Sequence, residues 1–506
     1  MKLKIYIIAG IVLGAMANLA SCDMNYDPLD TYSDVTEGVK DESGSKQEFQ
    51  NKADVESAMT GLHELMRNRL EHWYLDLLMI SETNSDNAYG GTTETPVIAF
   101  ENHSADGSSP VLERDWTSYL SDVAQANRII CNIDAVSDAN FTTAERASIK
   151  AQAQIFRALV WFDMVRIWGN IPVITTIAPD ITAENIEEVY DDYFPKQSSA
   201  EVAYKQIEAD LLDALNYAPD NNPADKTRFS KSVARAMLAK VYAEKPLRDY
   251  DKVIHYCDQL QTDGFGLADS YSDLFGMNQS VTDLKMRNTR EGILEAQFPS
   301  SGGNWVVGMF GRDLLNYDNA FTWAKWVTPS RDLINLFTQE GDTERFNESI
   351  VYYECSWSNY YPANHYPFMY KCRAGVSSLI KLRYADVLLL KAEAYLKGNT
   401  KNTKAAADII DEIRVRAGLD KLPATVRNNE NALWDAYMKE RRLELAFEGQ
   451  RWFDLCRWEN VEEVMTKLQD AGRHTTLKPF TEDSYILAIP QTAIDQNENL
   501  VQNRGY

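Results

Sequence analysis

The stretch RRLELAFEGQRWFDLCRW, residues 441–458, sets seven charged side chains among two tryptophans and two phenylalanines. On a helix, Glu440, Glu444 and Glu448 share one face, while Trp434, Met438, Arg441 and Leu445 follow another. Arg451 and Asp454 then lie one turn apart, beside Trp452 and Phe453. Charges packed among large rings survive burial by pairing, and no histidine or other nucleophile accompanies these. The stretch reads as scaffold, so function has to be sought elsewhere.

The same helical period recurs on both sides of it. Val55, Ala58, Met59, Leu62, Leu65, Met66 and Leu70 mark one amphipathic helix, and Thr142 with Glu145 makes a capping box ahead of a long helix through Trp168 that Gly169 and Pro172 end. Further helices are expected at about 111–136, 198–217, 230–244, 249–262, 378–397, 403–417 and 430–448. Strand-like alternation is confined to GILEAQF, 292–298, and YILAIP, 485–490. In 232–261, Ala234, Leu238, Ala239 and Tyr242, then Tyr250, Val253 and Tyr256, show the small–large alternation of a tetratricopeptide pair, and 384–419 offers a second. The fold class is therefore mainly α, framed by a few such pairs and carrying a few short strands.

Composition excludes several functions. The 506 residues are 44% hydrophobic and 25% charged, enough for a large core. A net charge of −24 repels phosphate backbones and anionic membranes, so nucleic acid is excluded as a partner. At the N-terminus Lys2 and Lys4 precede an apolar run, Ile5 to Ala17, too short to span a bilayer, and then Leu19-Ala20-Ser21-Cys22. That tetrapeptide has the form of a bacterial lipobox, in which Cys22 becomes an acylated N-terminus after removal of residues 1–21. Residues 22–50, with eight acids against two lysines, form a tether, and 51–506 the folded body. Five cysteines follow Cys22, so a fully paired disulfide framework is excluded. Cys131, Cys257 and Cys456 are expected to be buried, while Cys355 and Cys372 flank an aromatic loop and could pair.

Motifs for hydrolysis, nucleotide binding or metal ligation (HExxH, GxSxG, P-loop, complete EF-hand, CxxC) are absent, and no two of the six histidines have metal-binding helical spacing. Neither a cofactor nor a metal is implied. A glycosidase needs only two carboxylates placed by the fold, and 75 acids leave that alternative open. Aromatic residues outside the helices stand out instead. Trp305, Phe310, Tyr317, Phe321, Trp323 and Trp326 fall within 22 residues, and 351–372 is denser still, with Trp357, Tyr360 and Tyr361 near its centre. Flat rings on irregular loops suit the C–H face of a sugar, with neighbouring polar groups bonding its hydroxyls.

Five segments, in order, match one family's pattern: 151–174, 198–219, 382–399, ERRLELAFEGQRWFDLCRW at 440–458, and IPQTAIDQNENLVQNRGY at 489–506. The chain resembles the SusD/RagB outer-membrane lipoproteins of the Bacteroidetes. The resemblance implies a mainly helical fold with tetratricopeptide-like pairs, a repeat-containing part about 51–290 and a RagB/SusD part about 291–506. It also implies no catalysis, and a lipid-anchored position over a SusC-like TonB-dependent transporter to which captured oligosaccharides are passed. A peptide-capturing member of the family is the alternative. Ligand contacts in the family come from variable loops, here SDNAYGG at 85–91 and the stretch 305–326. The expected binding residues are Trp305, Trp323, Trp326 and Tyr317, with Asp86, Asn87 and Tyr89 as neighbours; Trp357, Tyr360 and Tyr361 are the second choice.

Overall fold

Thr142 caps the helix Thr143–Trp168 through the reciprocal box with Glu145, and Gly169, at φ +71°, ends it. Almost every residue from Ala151 onward is buried, as an all-round apolar sequence requires, and the helix packs between Pro110–Asn132 and Ala200–Tyr217. The computed structural model describes residues 48–91, 95–182, 184–185, 187–310, 326–468, 470 and 479–506. Cys22, and the signal and tether segments up to residue 47, lie outside the described residues, as do Tyr317 and Trp323.

Phe49–Tyr506 form one compact unit, mainly α, with one principal core running through both halves. The expected repeat pairs are present: Lys231–Ala243 packs on Tyr250–Thr262, and Tyr384–Lys397 on Thr403–Arg416. Buried Ala234, Ala236 and Ala239 let the helices approach closely, while the Tyr242 and Tyr256 rings stack 5.9 Å apart. Tyr384–Lys397 also packs on both helices of the first pair, so the two pairs join in one layer.

Several boundaries differ from expectation. The helix from Glu430 stops at Glu444 rather than 448, because the chain turns through two left-handed residues, Phe447 at φ +60° and Gly449 at φ +71°, before Arg451–Arg457 begins a new helix. Residues 379–383, read as helix, are a strand antiparallel to Gly292–Ala296, the partner that one-dimensional pattern could not supply. Residues 485–490 form no strand; Leu487 donates to the Ile167 carbonyl at the end of the long helix. Cys257 is buried as expected, but Cys456 is half-buried and Cys131 exposed. No disulfide joins Cys355 to Cys372: the Cys355 thiol donates to the Trp357 carbonyl, and Cys372 accepts from Asn304. Among the described residues no helix is long and apolar enough to cross a membrane.

Candidate functional site: aromatic loops on a buried ion network

The charges of 441–458 are buried and paired, but not with the partner that sequence proximity proposes. Arg451 forms a two-pronged bond to Asp86 (2.7 and 2.9 Å), not to Asp454. Asp454 is held instead by Arg441 and Arg457 (2.7 and 2.8 Å). Arg441 reaches on to Asp386, which also takes Lys240, and Arg457 to Glu393. On the other face of Glu430–Glu444, Arg345 binds Asp342, Glu440 and Glu444, while Arg383 binds Glu291, Glu444 and, in the turn that follows, Glu448. Burial favours neutral Asp86, Asp386 and Glu444, but their cationic neighbours outweigh it and hold all three well below the usual carboxylate range. Every one of these carboxylates is committed to a cation, which leaves none placed as a free general acid.

The network supports the first loop from beneath. Arg442 donates to the Asn87 side chain and to the Asp86 carbonyl, both at 2.8 Å, and Asn87 donates to Glu82 at 2.7 Å. Glu82 in turn accepts the backbone N–H groups of Phe447 and Gly449, so the left-handed turn and the loop share one carboxyl. Burial pushes that carboxyl up to about 7, against the hydrogen bonds from Asn87, Phe447 and Gly449. Asp86 and Asn87 are buried loop anchors: the Asp86 carboxylate is taken by Arg451 and Arg442, and the Asn87 side chain by Arg442 and Glu82.

Tyr89 is equally buried, but against other rings. Ala88–Tyr89 pairs antiparallel with Thr328–Pro329, directly after the second aromatic stretch, and Ser330 clamps the junction by bonding the Asp86 and Asn87 carbonyls. The Tyr89 ring stacks on Tyr360 at 4.6 Å and 4°, and its hydroxyl meets Asp470 at 2.5 Å and the Arg331 backbone N–H at 3.0 Å. Tyr360 donates to Glu101 (2.8 Å), the carboxylate that also takes the Gly90 N–H. Arg331, part-exposed, lies over the half-buried Tyr361 ring at 4.4 Å, and Tyr361 bonds the Pro329 carbonyl. The third stretch folds as Ile350–Tyr353 antiparallel to Tyr366–Met369, with Tyr360 and Tyr361 in the connection between them.

Residues 88–89, 328–331 and 360–361 thus converge, the first from the opposite half of the chain. Tyr89, expected as a neighbour of the first-choice rings, and the second-choice Tyr360–Tyr361 pair pack together in one cluster. Trp305 opens the 3-10 turn Trp305–Phe310 and is 36% exposed, while Trp326 returns to bond Met309 (2.9 Å) and packs against the core. Sequence reasoning missed Arg331 and Asp470. Neither sits in an aromatic run, and only the strand pairing at Thr328–Pro329 brings Arg331 to Tyr89.

A model described as the SusD family matches residues 365–506, and one described as starch-binding associating with outer membrane matches 34–243. A SusD-like protein P2 of Formosa agariphila is 25% identical, over 90% of this chain and 93% of its own length. A SusD-like protein from Bacteroides fragilis superposes with a TM-score of 0.71 at 20% identity, covering 90% of this chain and 98% of that one. Surface glycan-binding protein A from Bacteroides thetaiotaomicron, solved with laminarihexaose, gives 0.69 at 17% identity, covering 90% and 99%. The two matched segments take in the greater part of the sequence and the fold agrees with theirs along its length: the chain belongs to the SusD/RagB family.

Proposed function

We propose that the protein is a non-catalytic, surface-exposed lipoprotein that captures oligosaccharides and passes them to a SusC-like TonB-dependent transporter. Residues 1–21 act as the signal, Cys22 carries the lipid, and 22–50 tether the binding body to the outer membrane. Tyr361, Trp305 and Trp326 are the described rings assigned to the capture surface, with the buried Tyr89 ring packed behind Tyr360 and Tyr361, and Tyr317 and Trp323 are assigned to it from the sequence alone. The observation that carries this reading is the packing of Tyr89, Tyr360 and Tyr361, from two distant loops, beside Arg331 on a base already rigidified by paired arginines. Rings held in place before binding lose little entropy on contact with a sugar. Two neighbours support the ligand class: the family model described as starch-binding, and the relative solved with laminarihexaose.

A glycan array run beside a peptide library on the purified protein tests the reading. Saturable binding to a restricted set of oligosaccharides, with no release of reducing sugar, is the expected outcome. Binding confined to peptides, or hydrolysis of the bound glycan, overturns it.

A further inference from the structure

An interior chamber of about 80 Å³ is walled by the long helix, the helix Lys231–Ala243, the strand Leu379–Arg383 and the turn Trp305–Phe310. Trp73, Leu159, Phe162 and Phe310 give it an apolar lining, and Leu78 is one of its part-exposed walls. None of Tyr89, Tyr361, Trp305 and Trp326 lines it. Arg166, Lys240 and Gln450 are shared with an adjoining recess of about 10 Å³, room for a single water, whose acids are Glu244 and Asp454.

The ionic groups on these walls do not balance. Lys240 is paired with Asp386, and Lys371 with Glu448 at 2.5 Å. Arg166 and Lys381 share one carboxylate, Asp163, at 2.7 and 2.5 Å. In the recess Asp454 is taken by Arg441 and Arg457, and burial raises the Glu244 carboxyl against the pull of Arg457, Arg166 and Lys240. The Arg166 guanidinium lies against the Phe162 and Phe453 rings (4.3 and 4.2 Å), its side chain is 6% exposed, and its Nε has no hydrogen-bond partner. The Ser378 hydroxyl on the same chamber is also unpartnered. A buried guanidinium N–H without an acceptor is costly, and an acceptor is what an anionic ligand brings.

Two cations on one acid suit a monoanion, the ring and aliphatic walls suit an apolar tail, and the volume holds that tail to a few carbons. We infer that the chamber is a binding site for a small monocarboxylate with a short alkyl tail, its head taken by Arg166 and Lys381 and its tail lying among Trp73, Phe162 and Phe310. The site is independent of both glycan capture and delivery.

The test is calorimetric titration of butyrate into the purified protein, beside acetate and butyramide at matched ionic strength. Saturable binding of butyrate is expected. Acetate, which keeps the head and lacks two methylenes, should bind about tenfold more weakly, and butyramide, which lacks the charge, should not bind. Arg166→Gln should lower butyrate affinity about tenfold or more. Leu78→Trp, which obstructs the chamber and leaves every charge in place, should abolish binding. A crystal structure grown with butyrate locates the ligand directly, and decides the matter should either variant fail to fold. Butyrate in the chamber with its carboxylate on Arg166 supports the inference. No saturable binding, equal affinity for the three probes, wild-type affinity in folded Leu78→Trp, or water alone in the chamber of that crystal overturns it.

Discussion

Asp76 and Asp115 pose a problem that the arginine network does not solve for them. Both are fully buried where Asp76–Asn84 meets Pro110–Asn132, and each keeps one oxygen with no hydrogen-bond partner. Arg114 binds Asp76, and its Nε stands 3.5 Å from Asp115, so one part-exposed cation serves two acids. Burial, and then the charge of Asp76, raises the Asp115 carboxyl well above its ordinary value; burial raises Asp76 against the pull of Arg114. His72 adds a weaker attraction for Asp76 from the neighbouring turn. The sign follows from linkage. An acid whose folded value is raised favours the native state most below the unfolded value, about 3.9, and loses that advantage as pH rises toward the folded value. Asp115→Asn, which keeps a hydrogen-bonding side chain and removes the charge, should leave stability near wild type in mild acid and raise it at neutral pH. Thermal melting across that range checks this; a variant less stable than wild type at neutral pH would show that Asp115 is needed as a charge.

At the scale of elements, the helices were readable because each has to bury one stripe, and stripe spacing is written into the chain. The capping box at Thr142 and Glu145 and both repeat pairs were found in this way. The short strands were not. Ala88–Tyr89 against Thr328–Pro329 is a two-residue pairing, too brief for any alternation to register, yet it sets the candidate site. Nor could the partner of Arg451 be read: Asp454 is three residues away in sequence, while Asp86 is 365 away and wins because the loop 85–91 is folded onto the helix Arg451–Arg457. The end of Glu430–Glu444 was missed for a related reason. Gly449 was visible, but the left-handed Phe447 that completes the turn carries no compositional signal.

The consequence is that the loop bearing Tyr89 depends on the helix beneath it. Asp86→Ala would leave Arg451 buried without its two-pronged partner, and removing one member of a buried pair typically costs about 3 to 5 kcal/mol. Denaturant unfolding should show a loss of that order. A loss below about 1 kcal/mol, the scale of an exposed pair, would mean that the loop is not held from below.

The whole molecule combines an acidic body with a ring-lined surface assembled from distant loops. Its net charge of −24 repels phosphate backbones and the carboxylates of the arginine network are paired, so what the surface offers a ligand is shape, rings and hydrogen bonds. Aromatic density on the loops was legible in the sequence, and so was the family; how the rings group was not, since that depends on strand contacts hundreds of residues apart. The central claim is that these rings bind sugar. Its most direct test is isothermal titration of the tightest glycan from the array into wild type, Trp305→Ala and Tyr361→Ala, with thermal melting as the check on folding. Both rings are part-exposed, so truncation should leave the fold standing. The account predicts at least a tenfold loss of affinity, about 1.4 kcal/mol, in one or both variants with melting close to wild type. Wild-type affinity in both folded variants would contradict it.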